Sequence, residues 1–137
     1  MKRLSKVTGW AAGVVLLLAG AALRADDISF KKRGDGEKQF VTNVGTAIIH
    51  AAHTSAKKAA LLKHEFTTPK ANRTELAIKM EYYGVVTGKR YVADIVVKID
   101  SSNKNAWEVL NIEYADTNTG ISANVKKVQE LIKDMNK

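Results

Sequence analysis

The stretch TELAIKMEYYGVVTGKRYVADIVVKID, residues 74–100, decides the fold. Leu76, Ile78, Met80 and Tyr82 alternate with Glu75, Ala77, Lys79 and Glu81. That period of two marks a strand with one buried face. Tyr91, Ala93, Ile95, Val97 and Ile99 repeat it against Val92, Asp94, Val96, Lys98 and Asp100. A two-residue turn at Thr87-Gly88 would join the runs as an antiparallel hairpin. Tyr82 then faces Ala93, Met80 faces Ile95, Ile78 faces Val97 and Leu76 faces Ile99. A slip of one residue would mix apolar and polar faces, so the register is expected to be well specified.

On the C-terminal side, Ser101 to Asn105 reads as a second turn and Ala106 to Ala115 as a third strand. The expected partners are Val97 with Leu110, Ile95 with Ile112 and Ala93 with Tyr114. Asp116-Thr117-Asn118-Thr119-Gly120 ends that strand. Ser122 can cap a last helix with Val125, Val128, Leu131, Ile132 and Met135 as its apolar stripe. On the N-terminal side, Ile28 to Arg33 reads as a short strand or ordered arm before the breaker Gly34-Asp35-Gly36. A helix is expected from Glu37 to Leu62, because Phe40, Val44, Ile48, Ala51, Ser55, Ala59 and Leu62 recur at steps of three and four. Asp35 would cap its start, and Lys57, Lys58 and Lys63 would suit its C-terminal dipole. Thr67-Thr68-Pro69-Lys70, with the single proline, reads as the exit loop.

The expected order is helix, antiparallel meander of three to four strands, helix: an α+β domain in which the long helix covers the apolar sheet face. The layout resembles the cystatin-like fold, in which a long helix crosses a curved antiparallel sheet, a theme shared by small NTF2-like export proteins. Cystatin-type inhibitors carry a Gln-x-Val-x-Gly hairpin. Here Gln39-Phe40-Val41-Thr42-Asn43 lacks the glycine and falls inside the helix, which argues against protease inhibition.

The first 25 residues read as a secretory signal peptide. Lys2, Arg3 and Lys6 precede an uncharged run from Gly9 to Leu23, shorter than the ~20 residues a bilayer span needs. Cleavage is expected after Ala25, with Ala22 and Ala21 as alternatives, leaving Asp26 to Lys137 as one domain. The leader holds four of the 22 basic residues and none of the 14 acidic ones, so a net charge of +8 falls to +4. That balance supports solubility more than nucleic-acid binding. With no cysteine, disulfides and a cysteine-linked lipid anchor are both excluded. The expected product is exported, periplasmic or secreted, and bacterial in character.

Three features compete as sites. The hairpin registers align Glu81, Asp94 and Glu113 on the outer sheet face. Like charges in register repel, so a hard cation such as calcium would suit them; alternatively Lys79, Lys98 and Arg90 dilute the repulsion on a solvated face. His50, His53 and His64 would form a polar stripe opposite the apolar side of the long helix. His50 and His53 have the i, i+3 spacing of metal ligands, but no carboxylate or cysteine lies close in sequence. Tyr83, Trp107 and Val109 would share the outer face as an anchor for a protein or small-molecule partner, or as a seam for a homodimer.

Double-stranded RNA-binding domains share the element order, and Gly120-Ile121-Ser122 precedes Lys126-Lys127. The spacing differs from theirs, and export removes the chain from such a partner. No Gly-rich phosphate loop, Gly-x-Ser-x-Gly elbow or nucleophilic cysteine is present. The leading reading is a non-enzymatic exported interaction domain that uses the outer sheet face or a sheet edge. Its rival is a small hydrolase or isomerase with a pocket between helix and sheet.

Overall fold

The computed structural model describes residues 23–34 and 36–137. The expected leader, apart from its last three residues, and the expected cap Asp35 lie outside them. A short helix α1 (Ala25–Ile28) and an arm lead to helix α2 (Glu37–Ala52). Four strands follow, β1 (Lys57–Lys70), β2 (Arg73–Tyr83), β3 (Arg90–Asp100) and β4 (Glu108–Asp116), and then helix α3 (Val125–Met135). The sheet is antiparallel with strand order β1-β2-β3-β4, so the molecule is α+β.

The inner face follows the alternation of residues 74–100. Ile78, Ile95 and Ile112 all point to it and are almost fully buried, with Leu76, Met80, Val97 and Ile99. Each such side chain removed from water contributes about 1.5–3 kcal/mol before entropy is counted. The pairing itself is displaced by two residues from the expected one. Tyr82 faces Tyr91, Met80 faces Ala93, Ile78 faces Ile95 and Leu76 faces Val97. The turn is a wider loop, closed by Gly84 N–H donating to the Lys89 carbonyl at 3.0 Å, with Gly88 in the left-handed region at φ 65°. A shift of two keeps every side chain on its face, so parity survives while partners change.

In β3–β4, Ala93 faces Asp116, Ile95 faces Tyr114 and Val97 faces Ile112. A bulge then falls at Leu110, between the pairs Lys98–Asn111 and Ile99–Val109. One extra residue reverses parity beyond it. Val109 therefore turns into the core and Leu110 stays 46% exposed, the reverse of the expected assignment.

The expected 37–62 helix stops at Ala52. His53 is its C-cap in extended backbone, Thr54-Ser55 turn the chain, and residues 57–70 form the fourth strand. Alanine and lysine favour helix locally. Pairing along β2 and burial of the Leu61 and Phe66 faces override that preference. Lys57, Lys58 and Lys63, expected at a helix end, thus lie on an edge strand. Close approach of α2 to the sheet is made at Gly45, where a Cβ would sit 2.6 Å from Met80 Sδ.

Both sheet edges are guarded. On β4, Asn136 of the α3 C-cap brackets Val109, accepting from its N–H at 2.7 Å and donating to its carbonyl at 3.0 Å; Gln129 donates to the Ile112 carbonyl at 2.6 Å. On β1, three register irregularities, four exposed lysines and Pro69 oppose further strand pairing. Asn124, and not Ser122, caps α3, accepting from Lys127 N–H. The arm is fixed beside the far end of α3, where Phe30 N–H donates to the Met135 carbonyl at 2.8 Å. Among the described residues no helix is long and apolar enough to cross a membrane.

Candidate functional site

The carboxylate row does not form. Because the pairing is shifted by two, Glu81 faces Val92, Asp94 faces Lys79 and Ala115, and Glu113 faces Val96. Each carboxylate meets a cation: Arg90 at 2.6 Å from Glu81, Lys79 at 3.0 Å from Asp94, Lys98 at 3.2 Å from Glu113. The repulsion that called for calcium is absent. Among the described residues no three His, Asp or Glu side chains gather as a metal-binding group. A dent of about 260 Å³ lies on this face around Ala77 and Val96, small side chains opposite one another.

The histidines separate as well. His50 is half-buried, and that burial lowers its pKa. His53 is buried under the end of the sheet, and His64 is on β1, paired with Glu37 of α2 at 2.9 Å. Two carboxylate–histidine pairs therefore exist where the sequence placed none.

The buried pair belongs to a larger cluster. Asp116 Oδ2 accepts from Tyr114 Oη at 2.7 Å, Tyr82 Oη at 2.8 Å and His53 Nε2 at 2.9 Å, and its Oδ1 accepts from Asn118 N–H at 2.9 Å. Burial works against the Asp116 charge, but the hydrogen bonds from Tyr114, Tyr82, Asn118 and His53 outweigh it and hold the carboxyl below its ordinary range. Burial, and then the bond each donates to Asp116, pushes both tyrosines above the usual phenol range. The His53 and Asp116 side chains are only 6% and 5% exposed. The cluster ties the C-terminal end of α2 to the ends of β2 and β4. The sequence did carry a signal: Tyr82 and Tyr114 both point inward at strand ends, and a buried tyrosine hydroxyl needs an acceptor. Asp116 lies two residues beyond Tyr114 on the same face.

A second concavity lies at the opposite end. Phe40 from α2, Phe66 from β1 and Trp107 from the β3–β4 connection line an open recess of about 470 Å³, with Arg33, Gly34, Gly36 and Glu37 at its rim. The Phe66 and Trp107 rings meet edge to face at 6.2 Å. The Arg33 guanidinium lies 4.0 Å from the Trp107 ring centroid and donates to the Phe30 carbonyl at 3.0 Å. Trp107, chosen from the sequence, lines this recess, but its expected companions do not. Val109 is in the core, and Tyr83 is at the other end of the sheet, paired with Arg90. Phe66 falls between the end of the expected helix at Leu62 and the expected exit loop at Thr67, where no element was read, and Arg33 lies in the arm, whose path no periodicity sets.

Comparison of the chain with protein-family models, with curated proteins and with solved structures finds no match.

Proposed function

We propose that this chain is an exported, non-enzymatic binding domain that receives an apolar or aromatic group of its ligand in the recess at Trp107. The observation that carries the reading is the recess itself: three aromatic walls from three separate elements, with a cation and a carboxylate at the rim. Apolar walls with a few placed polar groups are the usual composition of a ligand site. The outer face, favoured on sequence grounds, is neutralised by its own ion pairs, and both edges are guarded against pairing. Export rests on the leader pattern. Leu23 packs on the core, and Arg24 N–H donates to Asp27 Oδ2 at 3.0 Å. Cleavage after Ala22 or Ala21 keeps both contacts, whereas cleavage after Ala25 removes both. The N-terminal mass of the secreted chain distinguishes the cuts.

The recess contains its own reporter. The chain has two tryptophans, so Trp10→Phe in the full chain leaves Trp107 as the sole indole. Titration with a panel of aromatic and aliphatic carboxylic acids and amines is expected to shift or quench its emission saturably, and Phe66→Ala to weaken that response. A panel that leaves the emission unmoved rejects the site. The hydrolase or isomerase reading has one observation in its favour, the His64–Glu37 pair near the recess. Turnover of a defined substrate that is lost in His64→Gln would establish it in place of the binding reading.

A further inference from the structure

The two ends of the sheet expose different chemistry. Where β2 and β4 finish, three connections reach solvent: residues 53–56, 84–89 and 117–124. Thr117 N–H donates to the Val92 carbonyl and Asn124 N–H to the Ala52 carbonyl, which fixes the last of them to this end. Their sequences contain no carboxylate. Val86 is 94% exposed, Ile121 64%, and Val125, at the start of α3, 54%. Lys57, Lys58, Lys89, Lys126 and Lys127 surround them, all exposed and, among the described residues, in no ion pair. Arg90 is engaged by Glu81, and Asp116 is enclosed by its donors. The recess end, by contrast, mixes its charges, pairing Arg73 with Asp100, Lys32 with Asp26 and Lys137 with Asp134.

Aliphatic tips within a ring of unpaired lysines complement a surface that is anionic outside and apolar just beneath. An anionic lipid leaflet has that layering. A nucleic acid would satisfy the lysines and leave Val86 and Ile121 in water, and an acidic protein would have to bring an apolar patch of its own to meet them. We infer that this end docks on an anionic lipid surface, with Val86 and Ile121 entering the headgroup layer and the lysines meeting phosphates. The Trp107 recess, at the far end, then faces away from the membrane. This inference does not depend on what the recess binds.

Absence of cysteine makes the test site-specific. Val86→Cys, Ile121→Cys and, at the opposite end, Lys104→Cys are each labelled with an environment-sensitive fluorophore in the full chain. On vesicles of phosphatidylglycerol mixed with phosphatidylcholine, the labels at 86 and 121 are expected to shift to the blue and escape an aqueous quencher, while the label at 104 does not. Each Lys→Gln change among the five should weaken the response about fivefold, the equivalent of ~1 kcal/mol per lysine. Equal quenching at 86 and 104 overturns the inference, including the case in which the apolar leader alone holds the chain to the vesicle. An equal response on phosphatidylcholine alone, or a response only to an acidic polymer, also overturns it.

Discussion

Asp94, on the outer face of the sheet, has a side chain 67% exposed and meets one partner, Lys79 at 3.0 Å. Asp116, at the end of the inner face, is 5% exposed and accepts from two tyrosines, a histidine and a backbone N–H. Both are strand aspartates in antiparallel ladders. One shares its charge with water and a mobile ammonium group, so its net contribution is small. The other has lost its water, and its stability is bound to the donors that replace it. A sheet with one covered face thus assigns the same residue type two energetic roles, set by which side of the ladder it occupies.

The largest test of that contrast is Asp116→Ala. It leaves the hydroxyls of Tyr82 and Tyr114 and the ring of His53 buried without their acceptor. The expected loss is about 3–5 kcal/mol, the range for removing one member of a buried charged group. Equilibrium denaturation in urea measures it. A loss below about 1 kcal/mol would mean that water enters the cluster freely and that the contrast with Asp94 is false.

Acid should reveal the same asymmetry. The folded Asp116 carboxyl titrates below its unfolded value of about 3.9. Its contribution is therefore complete above that unfolded value and is lost as pH falls through the folded one. Asp116→Asn should flatten the acid limb of the stability curve. It should not abolish it, because the hydroxyl and N–H of Ser102 also depress Asp100. At the other extreme the raised tyrosine pKa values contribute stability that is full below about pH 10 and falls as pH rises toward the folded values.

How legible this was in the sequence depended on the kind of constraint. Parity within a strand is a local property, so Ile78, Ile95 and Ile112 could be assigned to one face. Partner identity depends on loop length, and the six residues from Gly84 to Lys89 cannot be told from a two-residue turn at Thr87-Gly88 by periodicity. That ambiguity of two residues created the apparent carboxylate row. The boundary at Ala52 was hidden for another reason: Ala59, Ala60, Leu61 and Leu62 fit a helix period as well as a strand, and only pairing with β2 decides between them. Of the recess, Trp107 was legible as an aromatic beside a turn. Phe66 and Arg33 depended on the strand and arm that local signals did not define.

A smaller step is Tyr114→Phe. It removes one of three donors to Asp116 Oδ2 and leaves no donor unpaired, so about 1–2 kcal/mol is expected. Tyr82→Phe should cost a similar amount. The double variant should exceed the sum, because Asp116 would then keep only His53 and Asn118 against the same burial. Strict additivity would show that the two hydroxyls act independently and that the cluster has no network character.

The smallest expected effect is on the outer face. Asp94→Asn should change stability by no more than about 0.5 kcal/mol, and a double-mutant cycle with Lys79→Gln should give a coupling of about 0.2–1 kcal/mol that shrinks in high salt. Asn keeps the side-chain volume and can still accept from Lys79, so only the exposed charge is removed. A coupling well above that range, or one insensitive to salt, would show that Asp94 is held in a drier environment than its exposure implies.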